Sequence, residues 1–210
     1  TILVTSSIPE EGKSFSALNL ATSFASTNNK TVLLEFDLRK PSQVYSELGT
    51  RALVGISSYL INRVTLDEII IKTEIPNLDI IQTGQVPPNP VELLSSKKNQ
   101  ELFNSLRERY DYIIIDTPPY SLVSDAFILM KYADIKLYVT RLGKVKRSRL
   151  TSSMEDVVSK GVKDIYLLVN EDSTFKNSTY QQYTERNKGK KANVKKGRSK
   201  KTAKPRDTAE

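Results

Sequence analysis

Apolar residues come in short unbroken runs: Ile2-Leu3-Val4, Val32-Leu33-Leu34, Ile80-Ile81, Tyr112-Ile113-Ile114-Ile115 and Tyr166-Leu167-Leu168-Val169. Runs that do not alternate with polar residues suit strands covered on both faces. Between them lie longer stretches with helix-forming residues and apolar positions three or four apart. The pattern predicts strands near 1–5, 31–36, 78–82, 111–116, 135–140 and 164–169, and helices near 14–28, 66–72, 97–109, 123–132 and 147–160. Strand and helix in strict alternation argue an α/β fold, a doubly wound, mostly parallel sheet with helices on both faces.

Where the first strand meets the first helix stands Ser6-Ser7-Ile8-Pro9-Glu10-Glu11-Gly12-Lys13-Ser14. Unpaired N–H groups at a helix start, with part of the macrodipole's positive charge, favour phosphate. A glycine lets the backbone approach closely, a lysine reaches the terminal phosphates, and a serine hydroxyl suits Mg²⁺. The pattern G-x-x-x-x-G-K-[ST] of the phosphate loop fits, with Ser7 where its first glycine stands. Pro9, Glu10, Glu11, Gly12, Lys13, Ser14 and Phe15 are the expected nucleotide-binding segment.

Two further strands end in acids. Asp116 closes the run 112–116, at the strand end where open α/β sheets place ligands; it can face Mg²⁺, or simply begin the turn into Thr117-Pro118-Pro119. Glu35 and Asp37, two apart, share one side of their strand. They can bind metal, take a proton from an attacking hydroxyl, or pair with Arg39 and Lys40.

Taken in order, the phosphate loop, Leu34-Glu35-Phe36-Asp37-Leu38-Arg39-Lys40-Pro41, Gly84-Gln85-Val86-Pro87-Pro88-Asn89-Pro90-Val91-Glu92-Leu93-Leu94 and Asp111 to Pro119 resemble the cytoplasmic kinase domain of bacterial tyrosine kinases (BY-kinases) that control capsule and exopolysaccharide export. The resemblance runs from residue 1 to about 175 and implies an ATP-dependent protein-tyrosine kinase. By position it puts Lys13 on the β- and γ-phosphates, Ser14 and Asp116 on Mg²⁺, and Asp37 in the family's second acidic motif, with a metal or catalytic role. Glu35 stands where the family commonly has Asp, a candidate for activating the tyrosine hydroxyl. Glu10 replaces a common glycine, so a glycine-dependent backbone there is strained. The resemblance also implies partners: neighbouring subunits that phosphorylate one another, a membrane activator or a fused upstream membrane domain, and the polysaccharide export machinery. The implied location is the cytoplasmic face of the bacterial inner membrane. Thr1 falls at the very start of the first strand, so the chain reads as a piece of a longer protein.

Composition removes other chemistries. With no His and no Cys in 210 residues, histidine bases, thiolate nucleophiles and ordinary zinc sites are excluded. Phosphoryl transfer needs little more than positioning and charge neutralisation. The net charge of +8 comes from the end: residues 186–210 hold eleven Lys or Arg against Asp207 and Glu210, a net +9, leaving −1 for the rest. Such a tail buries too little to fold, and residues 176–210 are expected to be flexible. It suits solvent or an anionic membrane surface; with no aromatic after Tyr183, it has no platform for base stacking, and sequence-specific nucleic-acid binding is not expected. Tyr180 and Tyr183 precede it, and the resemblance makes them phosphoacceptors.

Three positions are weaker. Asn170 closes the last strand and suits an adenine edge or a turn; Arg141 is placed to reach phosphate or belongs to a solvated basic loop; Asp125 reads as a structural carboxylate at a helix start. Two other functions compete with the kinase: a partition or positioning ATPase of the deviant phosphate-loop class, and a nucleotide-binding regulator that has lost catalysis through Glu10 and Glu35. The Pro87-Pro88-Asn89-Pro90 segment and the terminal tyrosines favour the kinase.

Overall fold

The apolar runs become a seven-stranded sheet in the order β3-β4-β2-β5-β1-β6-β7. A computed structural model describes residues 1–42, 44–45, 52–120 and 124–171. Its strands are β1 (Ile2–Ser6), β2 (Thr31–Glu35), β3 (Ile71–Lys72), β4 (Leu78–Ile81), β5 (Tyr112–Asp116), β6 (Ile135–Arg141) and β7 (Ile165–Asn170). All neighbours pair in parallel except β3, which runs antiparallel to β4 at one edge.

Successive side chains of a strand point to opposite faces, so each run feeds two cores. Ile2, Val4, Leu33 and Ile114 pack with α1 (Lys13–Ser26), whose buried side is the small-residue stripe Ala17, Ala21 and Ala25. That stripe lets the phosphate-loop helix lie close on the sheet. Leu3, Val32, Leu34 and Ile115 face α3 (Pro90–Ser95), α4 (Lys97–Arg109), α5 (Asp125–Met130) and the single buried side chain, Val157, of α6 (Arg147–Ser159). Phe103 stacks between Phe36 and Tyr132, with centroids 5.6 and 4.3 Å away. Aromatic pairs of this kind add about 0.5–1.5 kcal/mol beyond their area.

Helices thus cover both faces of a mostly parallel sheet, as the alternation predicts. One predicted helix is absent. Residues 66–72 make one turn, opened by Glu68 accepting from the Thr65 amide and hydroxyl at 2.7 Å each, and then pass into β3. The run Ile69-Ile70-Ile71 is β-branched, which favours the pleated conformation over a continued helix. Two short helices lie outside the prediction, α2 (Ile56–Leu60) and α3. Both are too short to show a helical period; α3 starts with Pro90 at its first position, which is the usable signal.

Candidate active site

The phosphate loop is organised from within by its own acid. Glu11 is fully buried, and its carboxylate accepts from the Ile8 amide at 2.8 Å and the Thr140 hydroxyl at 3.2 Å. Glu11 therefore ties the loop to β6. The Asn170 amide nitrogen donates to the Glu11 carbonyl at 3.0 Å, so the end of β7 braces the same turn. Gly12 has φ +92°, and a Cβ there would stand 2.0 Å from that nitrogen. Only glycine satisfies both the left-handed backbone and the close approach.

Glu10 shows the strain that the sequence predicts, with φ +64°. Its exposed carboxylate pairs with Lys144 at 2.7 Å, and that hydrogen bond holds it below the ordinary carboxylate range. The Arg141 guanidinium forms an ion pair with Glu171 at 2.5 Å, and its charge also helps to lower the Glu10 carboxyl. Phe15, 59 % exposed, lies with Pro9 on the wall of a cavity of about 570 Å³ outside the loop.

Lys13, Ser14 and Asp37 line that cavity too. Register brings the acidic strand ends together: β5 lies between β1 and β2, with Asp116 opposite Val4 and Glu35. Asp116 is fully buried, its Oδ1 3.4 Å from the Lys13 ammonium, which also reaches the Ser14 hydroxyl at 3.2 Å. The other oxygen accepts from the Tyr45 hydroxyl at 2.6 Å. Burial, then the charge of Asp116, pushes the Tyr45 phenol well above its usual value, so it remains a donor. Tyr45 is a site residue that sequence reading misses. Its only signal is its place eight residues after Asp37, which no local pattern marks.

Glu35 and Asp37 part company. Glu35 is buried, and its two oxygens accept from the backbone amides of Ser42 at 2.6 Å and Thr83 at 3.2 Å. Asp37 accepts from the amides of Arg39 and Lys40 at 3.2 and 2.9 Å and faces the cavity. Arg39 turns its guanidinium to the fully buried Asp125, in a two-pronged contact of 2.8 and 3.0 Å. Asp125 thus anchors the turn after Asp37 to the start of α5. Tyr180 and Tyr183 lie outside the described residues.

The oxygen set fits a hard divalent cation. A serine hydroxyl and one or two carboxylates beside a phosphate cradle are what Mg²⁺ takes, and it keeps water and phosphate in its other positions. Among the described residues no three carboxylates converge into a cage.

A sheet of this order with this loop at β1 defines a phosphate-loop nucleotide-binding protein, and the family model described as AAA domain matches residues 10–148. The chain is 35 % identical over 183 residues to the tyrosine-protein kinase YwqD of Bacillus subtilis, covering 87 % of this chain and 77 % of that protein. It is 33 % identical over 193 residues to the tyrosine-protein kinase CpsD of Streptococcus agalactiae, covering 90 % and 84 %. The solved kinase domain of VpsO superposes with a TM-score of 0.74 at 36 % identity, over 80 % of this chain and 81 % of that one. The chain belongs to the bacterial tyrosine-protein kinases.

Two variants test the electrostatics. Burial raises the Asp37 carboxyl above its usual value, against the pull of the Lys40 amide, Lys13 and the Arg39 amide. A raised folded-state pKa means that the native state holds a proton that the unfolded chain has released, so stability falls as pH rises from the ordinary carboxylate value through the raised one. In metal-free protein Asp37→Asn should therefore melt at or above the wild type at pH 7, and the gap should close as pH falls below that window. Thermal unfolding at several pH values measures it; a variant that melts lower at pH 7 contradicts the direction. Tyr45→Phe removes the phenol from a buried carboxylate and should lower stability by about 1–3 kcal/mol. An unchanged denaturation midpoint would show that Asp116 does not depend on this bond.

Proposed function

We propose that the chain is an ATP-dependent protein-tyrosine autokinase that regulates the polymerisation and export of a capsular or extracellular polysaccharide. The observation that carries this reading is the meeting of Lys13, Ser14 and Asp37 on one cavity beside the phosphate loop, with Asp116 directly behind Lys13. Nucleotide phosphates lie along the N–H groups at the start of α1, with the Lys13 ammonium on the β- and γ-phosphates. Ser14 and Asp116 are the residues that would hold Mg²⁺, which supplies charge neutralisation of the phosphates when bound; of the metal and catalytic roles open to Asp37, the catalytic one is assigned here.

The phenol oxygen of the acceptor tyrosine forms the new bond to the γ-phosphorus as the bond to the β-phosphate oxygen breaks; the phenol proton passes to Asp37, and ADP leaves. Asp37 is the better base of the two acids at the β2 end. Burial raises its affinity for a proton, and it faces the cavity, whereas both Glu35 oxygens accept backbone amides. A carboxylate open to the cavity and more ready to take a proton than an ordinary one suits general-base work.

Tyr180 and Tyr183 are the acceptors, delivered by a neighbouring copy, and the basic residues after them give added phosphates nearby cations to pair with. The physiological setting is the cytoplasmic face of the membrane, with an activator or membrane domain upstream. Among the described residues no helix is long and apolar enough to cross a membrane.

Incubation with Mg-ATP followed by detection of phosphotyrosine tests the reading. Wild type should label itself, and Lys13→Met should lose about a hundredfold or more of the rate, the scale for removing one charge-stabilising donor. A partition-type ATPase would release phosphate without labelling, and a silent regulator would do neither. Replacing both Tyr180 and Tyr183 by Phe should remove most of the label; undiminished labelling would move the acceptors to the other eight of the ten tyrosines.

A further inference from the structure

At the opposite end of the sheet from the phosphate loop lies a second cavity of about 570 Å³. It opens between the end of α5, the end of α6 and the first residue pairs of β6 and β7. Lys131, Lys136, Lys160 and Lys163 line it, and no carboxylate does. Phe127, Met130 and Val162 supply apolar wall.

Lys136 is the informative residue. It stands in β6 two positions before Tyr138, and so points to the same face of the sheet, beneath α5 and α6. It is only 9 % exposed, yet its ammonium has no hydrogen-bond or ion-pair partner among the described residues. The stem is covered by its surroundings, and the ammonium is left for what enters the cavity that the residue lines. Lys163 likewise has no ion pair among the described residues, while Lys160 is bound to Asp156 at 2.8 Å and to the Tyr120 hydroxyl at 3.1 Å. Asp134, two residues before Lys136, is engaged by the amine of Thr1 at 2.7 Å. The C-termini of α5 and α6 bring about half a negative charge each to this end. Cations remain in excess.

The geometry points to a binding site for a phosphate head group carried on an apolar stem, with Lys136 and Lys163 on the phosphate and Phe127, Met130 and Val162 along the stem. A phospholipid head group and a free phosphate compound share this chemistry. The apolar wall favours the lipid, which would set this end of the sheet toward a membrane and leave the phosphate loop facing away from it.

The test uses the full chain with saturating Mg-ADP, so that the phosphate loop is filled and the basic tail is common to all variants. Dihexanoyl phosphatidate, below its micelle-forming concentration, and inorganic phosphate are titrated separately by calorimetry. Phosphatidate should bind more tightly than inorganic phosphate, and Lys136→Met should weaken it about tenfold, the loss of one charge-assisted hydrogen bond. Lys163→Met, on the cavity's rim, should weaken it less and serves if the first variant folds poorly. Equal affinity for both probes, lost together in Lys136→Met, supports the site and assigns it to free phosphate. No binding of either probe, or binding that neither lysine variant changes, overturns the proposal. Mg-ADP affinity should be the same in all three proteins.

Discussion

A fully buried carboxylate is the constraint on which this site turns. Asp116 ends a strand that is apolar for its whole buried length, and an ionised acid at such a place is expensive unless opposite charge and hydrogen bonds reach it. Lys13 and Tyr45 do so from two different elements, one from the phosphate-loop helix and one from the segment after β2. The sheet order makes this possible, because β5 lies between β1 and β2 and carries Asp116 to the junction of both loops. The surroundings of Asp116 are therefore organised around positive charge and a donated proton. Tyr45 occupies one Asp116 oxygen and Lys13 lies at the other.

The loop itself obeys a similar economy of charge. Glu11 lies inside the turn and neutralises nothing on the nucleotide; it accepts loop and β6 donors that would otherwise be buried unpaired. Asn170 closes the other side by donating to the Glu11 carbonyl. A residue at a strand end in this fold can thus act on the ligand indirectly, by fixing the backbone that the ligand touches. Glu10 takes the left-handed conformation that the family's usual glycine permits freely, a conformation of order 1 kcal/mol above the ordinary for a residue with a side chain. The ion pair with Lys144 is exposed and adds little.

Legibility in the sequence followed the range of the interaction. Strands β1, β2, β4, β5 and β7 were readable because each holds a local apolar run, and the phosphate loop because strand, glycine, lysine and helix follow one another directly. Residues 66–72 misled because a genuine helical start, Thr65 with Glu68, precedes a β-branched run whose partner strand β4 lies further along the chain. Tyr45 was illegible for a stronger reason: its role is set by Asp116, seventy-one residues away. Arg39 and Asp125 illustrate the same limit. Each was placed correctly as a charged residue near a strand end or helix start, yet that they pair with each other, rather than Arg39 with Asp37, depends on the packing of α5 on the sheet.

The two acids of β2 show how one methylene divides a site. Spacing alone put Glu35 and Asp37 on the same side. Glu35 belongs to the strand proper and extends to the amides of Ser42 and Thr83, so it fastens the segment after β2 to the segment after β4. Thr83 returns the contact, its hydroxyl donating to the Glu35 carbonyl at 2.7 Å. Asp37 lies just past the strand end, where its short side chain accepts amides of the following turn through one oxygen, Oδ1. The second oxygen is left for the cavity. A carboxylate with one oxygen held by backbone amides and the other open to a cavity has its orientation fixed while one oxygen stays accessible. The longer acid thus holds the frame, with both oxygens on backbone amides, and the shorter one keeps an oxygen toward the cavity.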